Sequence, residues 1–326
     1  MMPEVKQRAK FVAVVGAGVI GRSWIRVFAR ARYETRVWDP DPAQVEHAWE
    51  WVKADLKRAR KQHGIRKRVA RAEREQVVRC ETLEQALDGV SWVQESGPER
   101  LEAKHAIFAR LDQLAPPKAI LASSTSALDM TAIADGLAAA PRCVVAHPVN
   151  PPHVVPVVEV VGGARTDPLV LRRAVRFLER VGQTPVLLQR YVPGFFLNRM
   201  QAALVREAVH LAKEGVATPA AIDAVIRDGL GLRWALMGPF GVGNTNADGG
   251  IREYFGRYRE AFETLSQDLC PDLSLTPEIV EHVAKAVDGF WRGVPREDQQ
   301  AWRDDMVLRI RDLKAAHPIL PTTDDS

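Results

Sequence analysis

Long apolar runs are missing from this 326-residue chain. No stretch approaches the ~18 uninterrupted apolar residues of a membrane helix, so an integral helical membrane protein is excluded. Met1 to Lys10 lack the apolar core of a secretory signal, and the three cysteines, Cys80, Cys143 and Cys270, are odd in number and far apart. A disulfide-stapled secreted domain is thereby excluded, and a cytoplasmic protein is expected. The eight histidines are scattered without i, i+4 pairs beside carboxylates, so no metal site is expected. The G-x-S-x-G elbow of a serine hydrolase is also absent. No internal repeat or low-complexity tract occurs.

The net charge of +4 is local in origin. Between Lys53 and Arg74 ten Lys or Arg face only Asp55 and Glu73, a surplus of eight that leaves the rest of the chain at −4. The segment lacks the interleaved aromatics of a single-strand platform, so no nucleic-acid partner is expected. It reads as the solvated face of a helical insert, as a device that steers an anionic substrate, or as a contact for coenzyme A phosphates.

What the chain does contain starts at Phe11. Phe11-Val12-Ala13-Val14-Val15 is the continuous apolar run of a buried parallel strand, and it leads into Gly16-Ala17-Gly18-Val19-Ile20-Gly21. Arg22 to Ala29 continue with apolar residues at helical spacing, and Asp39 ends a second apolar run eighteen residues after Gly21. Strand, glycine loop, helix and acid at this spacing form a dinucleotide fingerprint. Gly16 allows the tight turn, Gly18 admits a pyrophosphate, Gly21 brings helix to strand, and Val19 and Ile20 open the helix whose amides hold the phosphates. Asp39 is the ribose acceptor. No Arg stands beside it and a second acid, Asp41, follows, so NAD is expected over NADP.

Further strands are expected at Val90–Gln94, 119–122, Cys143–Ala146, 157–161 and 185–188, with a helix over Lys104–Leu114. The alternation predicts an α/β fold, a Rossmann-type doubly wound and mostly parallel sheet over 1–190, followed by an all-helical domain over 191–326. In that second domain Thr218-Pro219 and Thr276-Pro277 are helix starts, and Gly215 and Gly229 sit where left-handed C-terminal residues belong. Pro321 to Ser326 read as a frayed tail.

Four polar residues are not needed for packing: Ser126, His147, Glu159 and Asn198. Ser126 and His147 each follow a strand, at the carboxyl ends where open α/β sheets bind ligands. Glu159 interrupts a valine strand, and a carboxylate buried there costs several kcal/mol unless it is paired. A histidine on the neighbouring strand would pair with it and become a general base, which points to His147. Asn198, in the first turn of the first long helix after 190, is either a helix cap or a group turned toward the domain junction.

These residues resemble the 3-hydroxyacyl-CoA dehydrogenase superfamily, and the likeness covers nearly the whole chain. Ser124-Thr125-Ser126 is similar to the family's Asn-Thr-Ser element, with Ser126 at the substrate-binding serine and Ser124 in place of the asparagine. The resemblance implies that His147 is the catalytic histidine, Glu159 its carboxylate partner and Asn198, in Pro-Gly-Phe-Phe-Leu-Asn-Arg, a substrate-binding asparagine. It also places Glu99 and Lys104 near the nicotinamide end of NAD and implies a homodimer formed by the helical domain. Val144 to Pro152, Gly229 to Ala235, Asn246 to Gly250 and Trp302-Arg303-Asp304 resemble more specifically the branch of L-gulonate 3-dehydrogenases, or lambda-crystallins. The departure from that branch is Phe240 to Thr245, where glycines predict a different loop.

Arg233 separates the substrate classes. A free 3-hydroxy acid presents a carboxylate that an arginine can hold bidentately, whereas a thioester presents none; the alternative is an Arg closing a helix end near Gly231. The expected reaction is NAD-dependent oxidation of the 3-hydroxyl of an L-gulonate-like L-3-hydroxy acid. Hydroxyacyl-CoA and L-carnitine oxidation are the alternatives, and the L-carnitine enzymes share a similar run around Arg233. A purely structural role, as in the lens, would need only a stable fold.

Overall fold

A computed structural model describes residues 11–272 and 275–317. The expectations for Met1 to Lys10 and for the tail from Pro321 to Ser326 lie outside the described residues. Two compact units part between Arg199 and Met200.

In unit 1 the chain runs β1 (Phe11–Val15), α1 (Val19–Arg30), β2 (Glu34–Trp38), α2 (Pro42–His63), α3 (Lys67–Arg74), β3 (Val77–Arg79), α4 (Leu83–Leu87), β4 (Trp92–Glu95) and α5 (Leu101–Leu114). It continues through β5 (Ile120–Ser123), α6 (Met130–Ile133), β6 (Cys143–Pro148), β7 (Val157–Gly162), α7 (Pro168–Arg180) and β8 (Thr184–Leu187). The strands form one sheet in the order β3-β2-β1-β4-β5-β6-β7-β8. From β3 to β6 every pairing is parallel; β7 then pairs antiparallel with β6 and carries β8 parallel to itself. The parallel portion is the doubly wound arrangement, with its crevice over the carboxyl end of β1.

Both faces of the sheet are covered, which is why its strands are apolar throughout rather than alternating. Val12 and Val14 pack with Trp24, Phe28 and Phe177 on one side, while Ala13 and Val15 pack with Leu83, Phe108 and Leu111 on the other. Each such large side chain contributes about 1.5–3 kcal/mol by leaving water. Gly21 is forced by this closeness: a Cβ there would lie 1.9 Å from the carbonyl oxygen of Gly16.

Helix α8 (Leu197–Lys213) carries the chain into unit 2, where α9 (Pro219–Ala224), α10 (Gly231–Thr245), α11 (Gly250–Asp268), α12 (Pro277–Trp291) and α13 (Arg296–Ala316) follow. Thr218 and Thr276 cap α9 and α12, accepting the first-turn amides of Ala221 and Ile279, and each is followed by proline. Gly215 is left-handed at φ +69° as expected. Gly229 is not: it lies within a π-helical turn, Val225–Leu230, that runs directly into α10, so no helix ends there. The predicted loop at Phe240–Thr245 is also corrected. Those residues are helical, and the break in this stretch is a kink at Gly238, φ 68° and ψ 177°, just before Pro239. A proline cannot donate to the preceding turn, so the break falls one residue before it rather than across the following glycines. No helix among the described residues is long and apolar enough to cross a membrane.

Candidate active site

The glycine loop and β2 enclose one end of the site. Gly16 is left-handed at φ +96°, and a Cβ there would strike the backbone of Ser96 at 2.7 Å. At Gly18 a Cβ would meet no atom of the chain, so the chain's own packing does not require glycine there; close approach by a phosphate does. Gly18 offers no side-chain cap to α1, which leaves the first-turn amides around Val19 and Ile20 to an incoming anion. Asp39 is fixed by this loop: its Oδ2 accepts the Ala17 amide at 2.8 Å and its Oδ1 the Asp41 amide at 2.9 Å. Asp41, read as a second ribose acid, instead caps α2 by accepting the Ala43 amide, so the acid preference rests on Asp39 alone. A cavity of about 650 Å³ opens here, lined by Gly16, Gly18, Trp38, Asp39 and Gly97 and by Arg110, whose guanidinium lies 5.3 Å from the Trp38 ring. The loop, the open helix end and the acid fit NAD.

The other end is built by β6 and β7. His147 was expected just past its strand; β6 runs on through Pro148, because the antiparallel partner keeps pairing, and His147 stands directly opposite Glu159. Opposed residues of an antiparallel pair project to the same face within contact. His147 Nδ1 lies 2.8 Å from Glu159 Oε2, with the His147 side chain 8% and that of Glu159 1% exposed. Glu159 Oε1 accepts the amides of Phe196 and Leu197, both at 2.8 Å, at the N-terminus of α8. Gly194 and Phe195, left-handed at φ +74° and +49°, make the turn that presents those amides. A left-handed phenylalanine costs about 1–3 kcal/mol, and here its fully buried ring packs 5.4 Å from that of His147. Burial pushes the Glu159 carboxyl up, but His147 and the two amides outweigh it and hold it below the ordinary carboxylate range.

Between these ends lies the loop after β5. Glu99 Oε1 accepts from the Thr125 hydroxyl at 2.6 Å, the Ser126 amide at 2.8 Å and the Ala127 amide at 3.2 Å. Burial raises its carboxyl, and Thr125, Lys104 and Ser126 together bring it net below the usual value. Asn198 donates its amide to the Ser126 carbonyl at 3.1 Å, so it reaches the serine loop rather than capping α8. Ser126, Asn198, Glu99, His147 and Glu159 therefore form one connected arrangement within unit 1. Lys104 is almost wholly buried, and its ammonium is committed to both oxygens of Glu95 at 3.1 Å, to the Gly97 carbonyl at 3.3 Å and to Glu99 at 3.4 Å. Neither Glu99 nor Lys104 lines the dinucleotide cavity. Arg233 is exposed in the first turn of α10; with no helix ending near Gly231, the end-closing alternative is overturned.

Sequence reasoning passed over Glu95. It is fully buried at the end of β4 and also takes the Ser123 hydroxyl and the Gly97 amide, both at 2.6 Å. The signal was the one that exposed Glu159, an acid closing an apolar strand. Ser124 was noted only as a replacement; its hydroxyl joins Trp24 Nε1, Gln94 and Ser96.

A doubly wound sheet with a glycine loop, an acid at the end of the second strand and a polar cluster on the neighbouring strands is the frame of an NAD-dependent dehydrogenase. Residues 11–191 match the family model of the 3-hydroxyacyl-CoA dehydrogenase NAD-binding domain, and residues 194–288 match that of its C-terminal domain. The chain belongs to the 3-hydroxyacyl-CoA dehydrogenase family. It is 38% identical over 313 residues to a lambda-crystallin homolog of Bos taurus, covering 94% of this chain and 96% of that protein. It is 36% identical over 326 residues to the L-carnitine dehydrogenase of Streptomyces coelicolor, covering 98% of each. Among solved structures, an NAD-dependent dismutase, 5-formyl-3-hydroxy-2-methylpyridine 4-carboxylic acid 5-dehydrogenase, superposes with a TM-score of 0.79 at 26% identity, covering 93% of this chain and 98% of that one.

Proposed function

We propose that this chain oxidises the 3-hydroxyl of a free L-3-hydroxy carboxylic acid of the L-gulonate kind to the 3-keto acid. The observation that carries the reading is the buried His147–Glu159 pair. With Nδ1 engaged by Glu159, Nε2 makes no hydrogen bond among the described residues, so it is the nitrogen that takes the hydroxyl proton. Glu159 holds the ring in that tautomer and stabilises the imidazolium that forms. NAD supplies the acceptor for the hydride leaving the same carbon. Ser126 and Asn198 position the reacting oxygen and its neighbours, Glu99 and Lys104 order the loop at the nicotinamide end, and Arg233 holds the carboxylate.

The long match to an L-carnitine dehydrogenase favours carnitine as the second reading, since carnitine is also a free 3-hydroxy acid. The proposed assembly is a homodimer through unit 2, supported by its exposed apolar side chains, among them Leu204, Phe240, Phe290 and Trp302. A cytoplasmic location is proposed with it, supported by three free cysteines.

The test follows NADH formation with L-gulonate, L-3-hydroxybutyrate, L-carnitine and a 3-hydroxyacyl-CoA at equal concentration. A free acid is expected to have the highest kcat/KM; the thioester in that place would overturn the substrate reading.

A further inference from the structure

The segment that carries the chain from β8 into α8 touches both halves of the site. Between Tyr191 and Asn198 it supplies the Phe196 and Leu197 amides that Glu159 accepts, the Phe195 ring against His147, and two side chains that reach the serine loop. Asn198 donates to the Ser126 carbonyl at 3.1 Å, and the Tyr191 hydroxyl donates to the next carbonyl, that of Ala127, at 2.8 Å. The Tyr191 ring stands edge-on to that of Phe195 at 5.9 Å, and the Phe195 ring is tilted against the imidazole of His147 at 5.4 Å. Tyr191 is thus joined to the base by its ring and to the serine loop by its hydroxyl. All of these residues lie in unit 1.

The serine loop has little else to hold it. No backbone–backbone hydrogen bond joins Ser126 or Ala127 to another residue among the described residues. Their two amides go to Glu99 Oε1, at 2.8 and 3.2 Å, and their two carbonyls accept from Asn198 and Tyr191. Thr125 Oγ1 adds only a longer contact, 3.4 Å to the Ala127 amide. A strand satisfies its backbone groups through its ladder, whereas here each polar group of two successive residues depends on a side chain. Three side chains therefore set where the Ser126 hydroxyl points, and that hydroxyl keeps one long internal contact, 3.4 Å to Glu99 Oε1. Glu99 and Asn198 are two of the three, and Tyr191 is the third.

We infer that Tyr191 is a positioning residue for the reaction: its hydroxyl fixes the Ala127 carbonyl and so holds the Ser126 hydroxyl in register with the His147 base. The bond sits at an exposed place, so water replaces the hydroxyl when it is removed, and little folding free energy depends on it. Geometry is what it controls, since misplacing a group by about 1 Å can cost on the order of 10²-fold in rate. The inference deepens the proposed oxidation and rests on it for its kinetic consequence, while the hold on the loop is present without turnover.

Tyr191→Phe keeps the ring against Phe195 and deletes only the hydroxyl. In a first arm that needs neither substrate nor cofactor, amide hydrogen exchange followed by mass spectrometry is expected to be roughly 3- to 10-fold faster than wild type in peptides covering 124–128 and unchanged in those covering β6. Equal exchange in the two proteins overturns the hold. The second arm uses whichever of the four substrates wild type oxidises best: kcat is expected to fall roughly 5- to 20-fold, with KM and NAD affinity within about twofold and the melting temperature within about 3 °C. An unchanged kcat overturns the positioning role, and so does a kcat loss that only follows a lowered melting temperature. In a Ser126→Ala background Tyr191→Phe is expected to change kcat by less than about twofold, because both residues act through one hydroxyl. The full loss in that background would place the action of Tyr191 elsewhere and overturn the inference. No oxidation by wild type would overturn the proposed activity, and the exchange arm would still decide whether Tyr191 holds the loop.

Discussion

Two carboxylates are buried in the same sheet, Glu95 on β4 and Glu159 on β7, and they are held differently. Glu95 is surrounded by fixed donors: an ammonium that touches both oxygens, a serine hydroxyl and a backbone amide. Glu159 is held by two amides on one oxygen and by an imidazole on the other. An ammonium in that setting only anchors, whereas an imidazole has a second nitrogen to offer. An acid in an apolar strand marks a place that needs a partner; the partner's remaining valence decides whether the place is structural or reactive.

The largest test of this contrast is His147→Asn, which is expected to lower kcat by about 10²–10⁴ while NAD titration is unchanged. Near-normal turnover would remove the base assignment. Next is Glu95→Gln, which takes from the buried Lys104 ammonium its buried counter-charge and leaves it only the half-exposed Glu99 at 3.4 Å; it is expected to cost about 3 kcal/mol in urea unfolding, with the folded fraction still active. If instead activity vanished at unchanged stability, the two carboxylates would not differ as described. Glu159→Gln keeps an acceptor for the two amides but weakens the hold on the imidazolium, and a kcat loss of roughly 10², the low end of what positioned general acid–base catalysis contributes, is expected. The smallest effect is in acid. Because the folded Glu159 carboxyl titrates below its ordinary 4.5, the unfolded chain binds the proton first; the stabilisation is complete above 4.5 and is lost as pH falls through the lower folded value. Melting curves below pH ~4.5 should therefore be less steep in Glu159→Gln than in wild type.

Legibility followed range. The glycine loop, Asp39 and the threonine caps were readable because each acts within a turn or a single βαβ unit. The pairing of His147 with Glu159 was readable as a need but not as a geometry, since it depends on β6 continuing against an antiparallel neighbour. Asp41 was misread because a helix cap and a ribose acid occupy nearly the same position in sequence. Gly229 and the glycines after Pro239 were misread because a π turn and a proline kink let helices continue where composition suggested stops.

Local chemistry alone thus set the family and the cofactor, because periodicity, capping and the fingerprint spacing act over a few residues. Which groups meet was decided by folding. Strand register put His147 against Glu159, the packing of α5 drove Lys104 onto Glu95, and the turn before α8 brought Tyr191 and Asn198 to the carbonyls of the serine loop. Such long-range pairings depend on how whole elements stack, and no short window of sequence contains both partners.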